Sequence, residues 1–305
     1  DLAIAFAPDA VVFTVPPWCE LESPLVIVHV LSAGTRVAGG DQSHVAGPAL
    51  FPRTVIRLGE NAGATVVELL VSGEEAALVV PVVDLDVGDG ARLFYTAVQQ
   101  LGSATWQLGH TRVRTGRDAT IKTFTASLGG AYARSRTDSV LAGQGGSAEL
   151  LAAFLGDGTQ VHDFRTLQEH AAPRTTSDLV FKGAVGGTAR SVYSGLIRML
   201  HGARGANAFQ TNRNLVLSEG AHADSVPNLD IKENDVRCSH ASAVGPIDAE
   251  QRFYLESRGV PREAAERLIL LGFFGELLER ALPSVRDHVV ASIRSRVSAM
   301  TGEQP

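Results

Sequence analysis

Residues 61–65 read NAGAT, residues 88–92 GDGAR, residues 116–120 GRDAT and residues 145–149 GGSAE. Each couples turn-forming Gly, Asp or Asn to an alanine, and the alanines Ala64, Ala91, Ala119 and Ala148 follow one another at 27, 28 and 29 residues. Later turns, GGTAR, ARGAN and GAHAD, place Ala189, Ala206 and Ala223 17 residues apart. Between the turns run short β-branched and apolar stretches such as TVIRL, TVVELLV, RLFYTAV, TRVRT and SVYSGLIRML. A coil of this length cannot bury its inward face alone, so successive coils stack and share one core, as in a β-solenoid. Small residues at the corners let neighbouring coils approach closely. A β-sandwich is the competing arrangement. The lack of helices between strands and of Asn-Gly hairpin turns favours the solenoid. The alternation is imperfect: TIKTFT puts Ile121 and Phe124 on opposite faces.

Working outward, residues 1–40 form a lead-in region with β-type runs at Val11–Val15 and Leu25–Leu31, parted by a Pro-Pro-Trp turn. Residues 41–245 form the coil stack and residues 246–305 a helical domain. The chain opens at Asp1 without a methionine and already reads as structured there, so an N-terminal segment is expected to precede it. After Pro246 the period becomes helical. Asp248 is a plausible N-cap and Gly259 a stop, and Pro261 begins the next helix. That helix carries a wide apolar arc, with Ala264, Leu268, Leu271 and Leu278 on one face and Ile269, Phe273, Leu277 and Ala281 beside it. Such an arc either packs in a terminal bundle or docks a partner. Val285, Val289, Ile293, Val297 and Met300 continue the helical spacing.

The 305 residues, 45% hydrophobic and 20% charged, can build a sizeable core. A net charge of −6 without a clustered basic face argues against nucleic acid as a partner. No run approaches the roughly 18 apolar residues of a membrane span, and no signal-peptide pattern opens the chain. Two cysteines, Cys19 and Cys238, make no secreted disulfide framework, so a reducing cytoplasm is the simpler setting, with a single disulfide left open.

Phosphate-binding loops and the G-x-S-x-G elbow are absent. A β-helix enzyme acting on a polysaccharide would gather carboxylates and aromatics along a groove. The carboxylates here are scattered and the tryptophans are only Trp18 and Trp106. His162, His170, His201 and His222 read as surface or hydrogen-bonded residues. Cys238 and His240 differ, because in an extended strand residues two apart share a face. Thiolate and imidazole suit iron, zinc or an iron–sulfur fragment, yet two ligands fall short of the usual four. The missing ligands would come from elsewhere, such as another chain. The alternative is a buried cysteine beside a solvent-facing histidine.

The run DFRTLQEHAAPRTTSDLVFKGAVGGTARSVYSGLIRM (163–199), with ANAFQTNRNLVLSEGAHADSVPNLDIKENDVRCSHASAVGPIDAEQRFYLESRG (206–259), resembles the SufB/SufD family of iron–sulfur cluster assembly proteins. The likeness extends from Asp163 to about Leu278. VRCSHASAVG is similar to the SufD form rather than the SufB form, with Ala241-Ser242-Ala243 as small-for-small departures. The resemblance implies a right-handed parallel β-helix with a C-terminal helical domain, and a helical N-terminal extension beyond Asp1. It implies a non-enzymatic scaffold in complex with a SufB-like subunit and a SufC-like ABC ATPase. A transient Fe–S cluster would form at the SufB interface, held by no tight site on the isolated chain. The family's interface histidine falls on His240 and its neighbouring cysteine on Cys238. SufC-docking helices fall on residues 248 to 282, with Phe253, Leu255, Leu268, Leu271, Phe274 and Leu278 as candidate contacts. A chain that merely braces SufB is a further alternative, and monomer and homodimer both stay open for the isolated chain.

Overall fold

The computed structural model describes residues 5–7, 9–32, 48–281 and 283–300. The boundary expected at residues 40 and 41 lies outside the described residues. In chain order the strands are β1 (Val11–Val15), β2 (Leu25–Leu31), β3 (Ala49–Leu50), β4 (Arg53–Leu58), β5 (Gly63–Ser72) and β6 (Ala77–Val79). Then come β7 (Val82–Val87), β8 (Arg92–Gln100), β9 (Thr105–Thr115), β10 (Thr120–Ser127), β11 (Tyr132–Leu141) and β12 (Ser147–Gly156). The last six are β13 (Val161–His170), β14 (Thr176–Val185), β15 (Arg190–Met199), β16 (Asn207–Val216), β17 (His222–Ile231) and β18 (Arg237–Gly245). Three helices close the described chain, α1 (Ala249–Ser257), α2 (Arg262–Glu279) and α3 (Pro283–Met300).

Every strand pairing is parallel, and from β7 onward the chain alternates between two sheets, one strand to each per coil. One sheet runs β1-β4-β7-β9-β11-β13-β15-β17, with β3 and β6 at its flank, and the other runs β2-β5-β8-β10-β12-β14-β16-β18. The result is a β-solenoid of about seven turns. Because β1 pairs with β4 and β2 with β5, residues 11–31 belong to the stack itself and not to a separate lead-in.

The repeated turns have a backbone cause. Two residues before successive strands of the second sheet stand Asn61, Gly90, Asp118, Gly145, Arg174 and Gly205, all at positive φ between 51° and 73°. Glycine enters this region freely, and Asn or Asp at small cost. Each donates its N–H to a carbonyl of the next coil, from Asn61 to Asp89 through Gly205 to Asp235. The corner is thus a continuous hydrogen-bonded ladder. The side chains that pack it come from the following position: Ala62, Ala91, Ala119 and Ala206 are all buried. Ala64 and Ala148 instead lie one residue inside β5 and β12. The spacing of 17 is half a coil, since Ala189 precedes a strand of the first sheet and Ala206 one of the second.

Valines, leucines and isoleucines fill the stack near its N-terminal end. Phe154, Phe164, Phe181 and Tyr193 form an aromatic ladder farther along. Other inward rows of the same coils are polar, with Gln168, His170 and Ser177 buried, and Gln210 and Asn212 lie buried one coil farther on. The outer face of the second sheet is dry too. Val98, Phe124, Leu151 and Leu155 pack against Leu270, Phe274, Leu277, Val289, Ile293 and Val297 of α2 and α3. Ile121 points in and Phe124 out, and both are buried, which is why this strand shows no clean alternation.

Candidate cluster half-site at the open end of the stack

Cys238 and His240 both lie on β18, the last strand of its sheet. β18 pairs with β16 along one edge, Cys238 opposite Ala208 and His240 opposite Gln210. Ala208 and Gln210 are buried inside the stack, so Cys238 and His240 occupy inward-facing rows. No described coil lies above them. The same rows show the effect elsewhere in the final coil: Leu229, Ile231 and Val244 are 39%, 46% and 45% exposed, whereas Ile197 and Met199, one coil below, are both 0%. The solenoid therefore ends in two strand edges, β17 and β18, over an uncovered interior. A paired strand edge and buried apolar rows are the usual fate of such a surface.

Neither donor is sealed away. His240 is exposed and Cys238 half-buried, packed against a cluster that includes Ile197, Met199 and Ala208. Burial pushes the Cys238 thiol above its ordinary value, so it stays protonated at neutral pH. Cys19 and Cys238 are both free. Among the described residues no three His, Cys, Asp or Glu side chains gather as a metal site. The pair is two donors of a softer set, suited to an iron–sulfur fragment but short of a full ligand shell.

The other histidines singled out in the sequence go elsewhere. His162 and His170 are fully buried and hydrogen-bonded, His162 to Ser127 at 3.0 Å and His170 to Thr175 and Ser177 at 2.8 Å each. Asp163, within the same run, accepts from Arg134, Arg165 and Tyr132. These bonds hold its carboxyl below the usual range even though burial pushes it up, and a carboxylate so engaged is no free acid for sugar cleavage.

The helical contacts divide. α1 is capped by Asp248, whose carboxylate accepts from the Glu250 and Gln251 N–H groups, and the chain leaves it through Gly259 at φ 86°. Phe253 and Leu268 stand 70% and 51% exposed, and Leu268 lines a groove of about 860 Å³ together with Pro246, Tyr254, Leu255, Ile269 and Gly272. Leu255 and Leu271 are half-buried. Phe274 and Leu278 are a correction: both are buried against the stack, because the side of α2 that carries them faces β12 and β14. They hold the helix down and cannot offer a docking surface. Tyr254, exposed on α1, joins the arc instead. Its only signal in the sequence is its place beside Phe253, in a helix that buries none of its residues among those described.

No helix among the described residues is long and apolar enough to cross a membrane. A sequence profile described as SUF system FeS cluster assembly, SufBD core domain, matches residues 40–273. An iron–sulfur cluster assembly SufBD family protein of Mycobacterium tuberculosis is 40% identical over 220 residues, covering 69% of this chain and 55% of that protein. Proteins named iron–sulfur cluster assembly protein SufD, from Bacillus subtilis and Escherichia coli, are each 30% identical, covering 93% and 92% of this chain and 63% of their own length. The chain thus spans little more than half to just under two thirds of these relatives. Parallel coils, an open final coil bearing thiol and imidazole, and a profile running through both lead to one conclusion: this chain belongs to the SufBD family of iron–sulfur cluster assembly proteins.

Proposed function

We propose that the chain acts as a SufD-like scaffold subunit, binding a SufB-like subunit at the open end of the coils and a SufC-like ABC ATPase on its helical arm. The nascent iron–sulfur cluster is the cargo, and the scaffold itself turns over no substrate. The observation that carries this reading is the placement of Cys238 and His240 on an edge strand, in rows that nothing on this chain's described residues covers. A partner seated there would both bury Leu229, Ile231 and Val244 and bring the remaining ligands. Incomplete ligation on one subunit suits a site that must release its cluster.

Ligation by Cys238 carries a proton: its thiol, raised by burial, must give up its proton as iron arrives. Iron uptake through Cys238 therefore releases a proton and strengthens as pH rises. The helical arm, with Phe253, Tyr254 and Leu268 exposed, is the lever through which movement of the ATPase would reach the coils. The test is co-expression with the SufB-like and SufC-like partners, then anaerobic reconstitution followed by absorbance. His240→Ala is expected to abolish cluster build-up while the complex still assembles. Normal yield from that variant removes the assigned site. Normal yield from a Cys238→Ala/His240→Ala pair would leave only a structural brace.

A further inference from the structure

We infer that the stack binds a monovalent cation such as potassium in a cavity between its two sheets, where the Glu68 carboxylate meets threonine and serine hydroxyls. This site lies far from the open end and does not depend on the half-site. Small side chains make the cavity. One inward row of the second sheet runs Glu68, Ala97, Thr125, Ala152 and Phe181. A row of the first sheet runs Val83, Thr111, Thr137 and Thr166. Phe181 and Thr166 are buried. Ala97, Thr111, Thr125 and Thr137 stand in the same inward rows yet are part-exposed, because no aromatic ring fills the space beside them. They line a cavity of about 70 Å³, room for an ion with a few waters.

The wall selects the occupant. Glu68 is the only carboxylate on it, and it is 6% exposed. Its Oε1 accepts from His29 at 2.6 Å and from Thr54 at 2.8 Å, and its Oε2 accepts from Tyr95. Burial pushes this carboxyl up, yet the bonds from His29, Tyr95 and Thr54 hold it below the usual range, so it is ionised at neutral pH. Three donors leave room at a carboxylate that offers about four acceptor positions. The other basic residues on the wall, His110 and Arg136, are both engaged by Asp138. His29 meets Glu68 through one N–H, and as a neutral donor it leaves the carboxylate charge uncancelled. A buried charge without a counter-charge is costly. Thr111, Thr125, Thr137 and Ser135 add hydroxyl oxygens, and buried Gln107 adds an Oε1 that has no partner. Oxygen donors suit a hard cation, and a single carboxylate matches a single charge. Calcium would draw on more carboxylates, whereas potassium is held by neutral oxygens elsewhere.

The experiment melts the isolated chain while potassium chloride replaces choline chloride at constant ionic strength. Choline is too large for the cavity. Potassium is expected to raise Tm by about 2–5 °C near saturation. Glu68→Gln keeps an acceptor oxygen but removes the charge, and should abolish the response. Thr137→Val keeps the volume and removes one hydroxyl, so more potassium should be needed for half the shift. Crystals soaked in thallium(I), a heavy substitute for potassium, should show an anomalous peak inside the cavity. Equal Tm in potassium and choline overturns the inference. So does a cavity that holds only water in the thallium crystals, and so does a full potassium response in both variants, which would place the ion elsewhere. If Glu68→Gln does not fold, Thr137→Val and the thallium peak decide in the same way.

Discussion

Inside the stack, the proton inventory of His170 can be followed atom by atom. Thr175 donates its hydroxyl to the Ala172 carbonyl at 3.0 Å, so it accepts from His170 Nδ1–H. His170 Nε2 is then bare and accepts from Ser177, which in turn accepts from the Gln168 amide. Burial holds this ring, and that of His162, at about 4. A depressed histidine favours the fold fully above its unfolded value near 6.5, and that stability is lost as pH falls from 6.5 to 4. Each ring is asked for up to about 3 kcal/mol at 1.36 kcal/mol per pH unit. Urea midpoints measured from pH 7.5 to 4 should therefore drop, and the His170→Gln variant should drop less steeply; parallel curves would contradict the assignment. Close packing is equally local at Gly183, where an added Cβ would lie 1.9 Å from the Phe154 ring. Gly183→Ala should cost about 1–3 kcal/mol, readable as a lower Tm. Some of this scale is legible in sequence and some is not. Asn61, Gly90 and Asp118 announce their left-handed corners, because few residues tolerate that backbone. Arg174 takes the same conformation at φ 56° without any such signal, since the ladder on either side imposes it. Cys238 and His240 are readable from their spacing, whereas the lack of a described coil above them shows only in the strand order.

At the level of elements, the attachment of the helices to the coils sets apolar packing against charge. Arg280 bridges Glu149 and Asp178, and Lys182 reaches Glu276 and the Phe273 carbonyl at 2.9 Å. Glu276 is 71% exposed, and Arg280, Glu149 and Asp178 are each part-exposed. Solvent screening limits such pairs to about 1 kcal/mol or less apiece. Phe274, fully buried between α2 and the sheet, is worth far more, since Phe→Ala in a core costs about 3–5 kcal/mol. Phe274→Ala should strip hydrogen-exchange protection from α2 and α3 while β10 and β12 stay protected. Arg280→Ala should leave that protection largely intact. Equal loss in both variants would mean that charge, not packing, holds the arm. This balance explains what the sequence conceals here. A helix apolar nearly all round names its residues but not its buried side, so Phe274 and Leu278 look as available as Leu268. The strands beneath hide the same fact from the other direction: β12 is buried at almost every position, and a strand covered on both faces loses its period of two.

For the whole molecule, a solenoid poses one problem at each end, because every coil is completed by its neighbour and the last has none. The sequence displays the repeat that stacks the coils, but a terminal coil differs from an inner one only in having a single neighbour, and residue patterns do not record that. At the C-terminal end the structure leaves Leu229, Ile231 and Val244 partly in water, together with the free edges of β17 and β18. Their burial by a partner would contribute no more than about 1.5–3 kcal/mol per side chain, so the three together can matter for association without matching the energy of the core. Lysine at Leu229 and Val244 probes this directly. Both side chains are already part-exposed, so the lone chain should lose little stability, about 0.5 kcal/mol or less per site. Association at this end should fail, because each lysine would have to surrender its hydration inside the contact. Co-purification with a SufB-like partner, and sedimentation of the isolated chain, are the two measurements. Retained pairing with the partner would mean that the subunits meet elsewhere. Cys238 and His240 would then face solvent in the assembly, and the cluster would have to be held without them.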